Sequence, residues 1–148
     1  MITVKHGVFH LQNERSSYLF RVRDGFLEHL HFGARVSASD ADALAVRPGC
    51  GWGDSTLYRE GSNANCLDIL PLEWSGCGRG DYRESPVELA QNGLPISTEF
   101  RYTGCEARKT PLPSALPASR GQATLAVYLE DSAAKLRLTL LYGVLPTV

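Results

Sequence analysis

Tyr18-Leu19-Phe20-Arg21-Val22-Arg23-Asp24-Gly25-Phe26-Leu27-Glu28-His29-Leu30-His31-Phe32 is the stretch that decides the fold of this chain. Tyr18, Phe20 and Val22 alternate with Arg21 and Arg23, the period-two pattern of a half-buried strand. Asp24-Gly25 follows, a strong hairpin signal because both turn positions tolerate positive φ. The return strand is expected over residues 26–32, with Phe26, Leu30 and Phe32 on one side, and Gly33 ends it.

The same grammar extends in both directions. Upstream, Phe9-His10-Leu11 is a short strand after a His6-Gly7 turn. Downstream, residues 39–45 have the composition of a short capped helix, and Pro48-Gly49-Cys50-Gly51-Trp52-Gly53 is loop. Val87-Glu88-Leu89 is a short strand, Asn92-Gly93 a second turn, and residues 94–103 alternate with Ile96, Thr98, Phe100 and Tyr102 on one face. Three prolines in residues 110–117 impose an extended loop. Leu125, Val127 and Leu129 share a face, Asp131-Ser132 begins a turn, and Leu136, Leu138, Leu140 and Tyr142 share a face in the last strand. Strands separated by Gly, Pro and Asp turns, with almost no helical period, predict an all-β antiparallel sandwich with few or no helices.

The chain has 148 residues and is 43% hydrophobic, enough for one globular domain with its own core. A formal net charge of -1 gives no electrostatic footprint for nucleic acid, and no basic run suits an anionic membrane. Neither nucleic acid nor membrane is an expected partner. The opening residues hold no apolar signal core, so the cytoplasm is the expected location. Cys50, Cys66, Cys77 and Cys105 form no C-x-x-C pair and read as free thiols. The last strand stops at Val144 with four residues after it, an ending that reads as a cut through a larger protein.

Residues 68–83 form the segment richest in chemistry: Asp68-Ile69-Leu70-Pro71-Leu72-Glu73-Trp74-Ser75-Gly76-Cys77-Gly78-Arg79-Gly80-Asp81-Tyr82-Arg83. It is too glycine-rich for a helix and too irregular for a strand, so it reads as a shaped loop, where ligand contacts concentrate.

Several features carry a plain reading beside a sharper one. Asp81 and Arg83 either contact a ligand or form an ion pair that holds the loop. Glu73 is better suited to satisfying buried backbone donors than to acid–base work. Trp74 and Trp52 are either ligand platforms or packing. His29 and His31, two apart on a strand, point to one side, but no third metal ligand accompanies them. No metal or cofactor is expected. Arg79-Gly80-Asp81 matches an integrin-binding tripeptide, which in a chain without a secretion signal is coincidence.

The order of these features resembles the amino-terminal β-domain of the melibiase-type α-galactosidases, glycoside hydrolase family thirty-six. The matching residues are Phe9-His10-Leu11 with Asn13, Ser17-Tyr18, and Gly25, Leu27, His29-Leu30 and Phe32-Gly33. Next come Leu70-Pro71-Leu72-Glu73-Trp74, where the family usually has Leu-Pro-Gln-Glu-Tyr-Pro, and then Gly78, Gly80-Asp81-Tyr82-Arg83 and Ser85-Pro86. Asn92-Gly93, Leu116-Pro117-Ala118, residues 125–131 and Leu138, Leu140 and Tyr142 complete the series.

The resemblance implies a domain that is part of a β-supersandwich of the galactose mutarotase type. In such enzymes it precedes a (β/α)₈ barrel whose two aspartates hydrolyse terminal α-galactosides with retention. Residues 1–148 would be that amino-terminal sandwich or part of it. They have no βα repeats, so no catalytic residue is expected in this chain. The resemblance further implies an oligomer, in which loops of this domain reach the substrate mouth of a neighbouring subunit. The residues carried over as substrate contacts are Asp68, Trp74, Asp81 and Arg83. Asp68 would accept sugar hydroxyls, Arg83 would orient a carboxylate or donate directly, and Trp74 would offer a ring to a sugar face. Leu72, Trp74 and Ser75 depart from the family pattern.

Two rival readings stand beside this one. A free-standing carbohydrate-binding sandwich would have the same strands. A complete small hydrolase would have to use Glu73, Asp81 or Glu84, which lie too close in sequence to flank a sugar. If neighbouring strands are missing, an exposed edge and an apolar face at the last strand should drive self-association.

Overall fold

The computed structural model describes residues 1–46, 67, 69–76, 81–109 and 123–145. The described strands form antiparallel sheets. The first holds β1 (Ile2–Lys5), β2 (Val8–Gln12), β3 (Ser16–Arg23) and β4 (Phe26–Ala34) in sequence order. A small hairpin pairs β5 (Leu89–Gln91) with β6 (Leu94–Ile96), and a three-stranded sheet holds β7 (Arg101–Arg108), β8 (Ala123–Asp131) and β9 (Leu136–Val144). The larger sheets face each other across one core. Phe9, Leu11, Phe20 and Leu27 come from the first, and Leu125, Val127, Leu129 and Val144 from the second. This is the expected sandwich.

The turns follow from the sequence. Asp24 and Gly25 take φ of 47° and 86°, the left-handed pair a two-residue hairpin needs to match strand twist. His6-Gly7 and Asn92-Gly93 repeat that pattern. Asp131 closes the β8–β9 turn by accepting the amides of Ala133 and Ala134, each at 2.9 Å.

The predicted face of β4 needs correction. The β3–β4 register shifts at Leu19/Phe20, pairing Phe20 with His29 and Leu19 with His31. This bulge inserts an extra residue and reverses the alternation beyond it. Leu27 joins the central core, whereas Leu30 packs with Leu19 and Ala41 on the opposite face. Phe26 packs with Leu67 and Leu70, and Phe32 is exposed. His29 and His31 therefore oppose strand residues of different faces.

The short helical region also differs in detail. A 3₁₀ turn (Ala38–Asp40) is capped by Ser37 in a capping box with Asp40, and α1 (Ala41–Leu44) follows. Ala41 covers the outer face of the first sheet. Below it, Arg21 bridges the fully buried Glu28 at 2.6 Å and Asp42 at 2.6 Å. The expected strand over residues 94–103 is divided: β6 ends at Ile96 and β7 begins at Arg101, with Thr98 and Phe100 buried between them. In β9, Leu136, Leu138, Leu140 and Tyr142 share a face as expected, but that face packs on the core and is not bare.

Candidate functional site

The loop that follows α1 docks on the edge of β4. The His29 amide donates to the Pro71 carbonyl at 2.6 Å, and the Glu73 amide donates to the Leu27 carbonyl at 3.0 Å. Leu72 thereby bridges Glu28 in antiparallel fashion. Proline at position 71 is compatible with this because only its carbonyl is used. Gly76 then runs so close to β-hairpin flank residue Thr98 that a Cβ would lie 2.5 Å from the Thr98 carbonyl oxygen. Any larger residue would push the loop away from that contact.

Of the four candidate contacts, Asp68 lies outside the described residues. Asp81 and Arg83 come together. Asp81 is 1% exposed and accepts the Ser75 hydroxyl at 2.7 Å, Arg83 Nε at 2.8 Å and the Arg83 amide at 3.3 Å. Burial alone would raise its pKa, but the bonds from Arg83 and Ser75 outweigh burial and hold it below the ordinary carboxylate value. The rest of the Arg83 guanidinium donates to the Leu70 carbonyl at 2.6 Å and the Leu67 carbonyl at 2.7 Å. One ion pair thus ties the two limbs of the loop together. Trp74 sits beside this staple, edge-on to Phe100 at 6.2 Å and packed on the central core. Its indole nitrogen is buried without a hydrogen-bond partner among the described residues.

The expectation that Glu73 satisfies buried backbone donors needs correction: the donors on its carboxylate are side chains. Its carboxylate accepts the Tyr18 hydroxyl at 2.8 Å on both oxygens, His29 Nδ1 at 2.8 Å and the Tyr142 hydroxyl at 2.7 Å. Those donors come from β3, β4 and β9, so one buried carboxylate joins the loop to both large sheets. Burial, and then the Glu73 charge, push the Tyr18 and Tyr142 phenols well above the ordinary tyrosine range. No local motif announces this cluster. Its one sequence signal is an acid placed among Leu70, Pro71, Leu72 and Trp74, where burial demands partners.

Other chemistry-bearing groups are structural. His10 Nε2 and Ser17 Oγ are 3.0 Å apart, but Ser17 is 1% exposed and also accepts the Val36 amide, so no substrate reaches it. Among the described residues, no three His, Cys, Asp or Glu side chains form a metal site, and no helix is long and apolar enough to cross a membrane. Cys105 is a free thiol, and the other three cysteines lie outside the described residues, as does Trp52.

Comparison with known proteins gives this geometry a context. The profile of the glycosyl hydrolase family 36 N-terminal domain matches residues 25–147. α-Galactosidase Mel36A of Lactobacillus acidophilus is 30% identical over 150 residues, covering 95% of this chain and 20% of the relative. The bifunctional α-galactosidase/sucrose kinase AgaSK of Mediterraneibacter gnavus is 26% identical, covering 93% of this chain and 15% of the relative. The solved galactosidase domain of AgaSK superposes with a TM-score of 0.85 at 27% identity, over 98% of this chain and 21% of that one. A variant of the α-galactosidase AgaA of Geobacillus stearothermophilus, solved in complex with raffinose, superposes at 0.77 with 26% identity, over 94% of this chain and 20% of that one. The chain spans about a fifth or less of the length of these relatives.

Proposed function

This chain belongs to the glycosyl hydrolase family 36 N-terminal domain, and from that premise we propose that it is the non-catalytic β-domain, or part of it, of a retaining cytoplasmic α-galactosidase. Its role is to assemble the oligomer and to shape the substrate mouth of a neighbouring subunit. One observation carries the non-catalytic reading. The two loop acids within the described residues, Glu73 and Asp81, are both committed: Glu73 is clamped by Tyr18, His29 and Tyr142, and Asp81 by Ser75 and Arg83. Neither is free to flank a sugar as acid or nucleophile.

In this reading Asp68 contacts galactoside hydroxyls, Trp74 supplies an apolar wall, and Asp81 acts by holding Arg83. The Arg83 side chain keeps 38% of its surface exposed beyond the staple, which supports a place at the rim. Among the described residues β9 is an edge strand, and this, with the exposure of Leu141 and Leu145, supports association with another subunit.

The test is an assay of the purified chain with a chromogenic α-galactoside. No turnover above buffer is expected. Turnover that disappears in Glu73→Gln or Asp81→Asn would overturn the non-catalytic reading.

A further inference from the structure

We infer that Glu73 is a positioning residue, the latch that fixes the rim loop across the sandwich. The inference rests on the reading of that loop as part of a substrate mouth, and names the residue that sets its position. Two devices hold the loop, and they differ. The Asp81–Arg83 staple reaches the Leu67 and Leu70 carbonyls, so it shapes the loop internally. The Glu73 carboxylate reaches outward to β3, β4 and β9 at once. It is 4% exposed, so its hydrogen bonds form away from competing water.

The chemistry requires a carboxylate. Its two oxygens offer about four acceptor positions and no donor, matching four bonds from three donor groups. An amide of the same shape keeps one acceptor oxygen and turns an N–H toward a phenol hydroxyl. The cost falls on docking because, among the described residues, the same segment is laid on β4 by two backbone bonds, His29 to Pro71 and Glu73 to Leu27. Releasing the side chain leaves that short ladder, with the packing of Leu67, Leu70 and Leu72 on Phe26 and of Trp74 on the core, to hold the loop against the sheet.

The test is hydrogen exchange on the 148-residue chain, comparing the native protein with Glu73→Gln and with Tyr142→Phe. The amides of His29 and of position 73 report loop docking, and those of Leu125 and Val127 report the core. A charge-assisted hydrogen bond lost from a buried acceptor corresponds to about tenfold faster opening. That acceleration is expected at the two docking amides in both variants, with the core amides within about twofold of native. The Trp74 indole resonance should shift with them. Tyr142→Phe removes one hydroxyl and no volume, so it carries the test even if Glu73→Gln fails to fold. Unchanged docking amides, or docking and core amides accelerating together, would overturn the latch. Exchange reads no sugar. A loosened loop in a protein that shapes no substrate mouth would therefore leave the latch standing and remove its functional consequence alone.

Discussion

Truncating Phe20 to alanine is expected to lower folding stability by about 3–5 kcal/mol, the range for removing a fully buried aromatic. Phe20 has no exposed surface and stands where the two large sheets meet. Its ring stacks on Phe9 with centroids 4.5 Å apart and planes 9° apart, and on Tyr142 at 4.9 Å and 25°. Tyr18 meets it edge-on at 6.0 Å. Alanine would open a cavity among three rings whose strands are fixed by their ladders, so collapse is limited. Small domains hold about 5–15 kcal/mol in total, so the variant should be close to unfolding. Urea denaturation measures the change through its midpoint. Phe32→Ala provides the contrast. Phe32 is 74% exposed, and its loss should stay within about 0.5 kcal/mol. Equal losses at the two positions would contradict the burial of Phe20 and the exposure of Phe32.

Replacing Arg83 by methionine is expected to cost about 2–3 kcal/mol, concentrated in the loop. Breaking a fully buried ion pair costs about 3–5 kcal/mol, and the partly exposed guanidinium reduces that figure. The variant leaves the Asp81 carboxylate buried with Ser75 as its remaining side-chain partner, and removes the guanidinium donor from the Leu70 carbonyl and from the Leu67 carbonyl, which keeps the Leu70 amide. The effect has a definite pH dependence. The Asp81 pKa is depressed in the folded state below its ordinary value of 3.8. Its contribution is therefore fully present above about pH 4 and is lost as pH falls through the folded value. Thermal melts should show the native protein well above the variant at about pH 7, with the gap narrowing toward about pH 3. A gap that stays constant would mean that Asp81 and Arg83 do not act as a pair.

The hairpins were legible in the sequence because each is a local event. Asp24-Gly25 and Asn92-Gly93 need only their own φ angles, and the alternation in β3 and β9 needs only the strand period. The bulge at Leu19/Phe20 was not legible, since period-two counting has no signal for one inserted residue. That insertion separates Leu30 from Phe32, which the strand period puts on one face, and likewise parts His29 from His31. The segment over residues 68–83 stands out by composition, and the ion pair Asp81–Arg83 is legible there as one of two readings, beside ligand contact, because its partners lie two residues apart. The Glu73 cluster stayed hidden for the opposite reason. Tyr18, His29 and Tyr142 lie 55, 44 and 69 residues away from it, and nothing local couples them. The strand period puts Tyr18 and Tyr142 on core faces, and they pack there, but their hydroxyls find a carboxylate that the folded sandwich alone brings within reach.

In the proposed function this β-domain acts on substrate through its loop, without performing the chemistry. The most direct measurement is steady-state kinetics of a chimera in which this chain replaces the matching fifth of a full-length α-galactosidase, with and without Asp68→Ala. Loss of a charged hydrogen bond to a sugar hydroxyl predicts KM for a galactoside raised by about tenfold or more, with kcat within about twofold. An unchanged KM would contradict a substrate contact at Asp68, and so would a collapse of kcat at constant KM, which would place Asp68 in the chemistry itself.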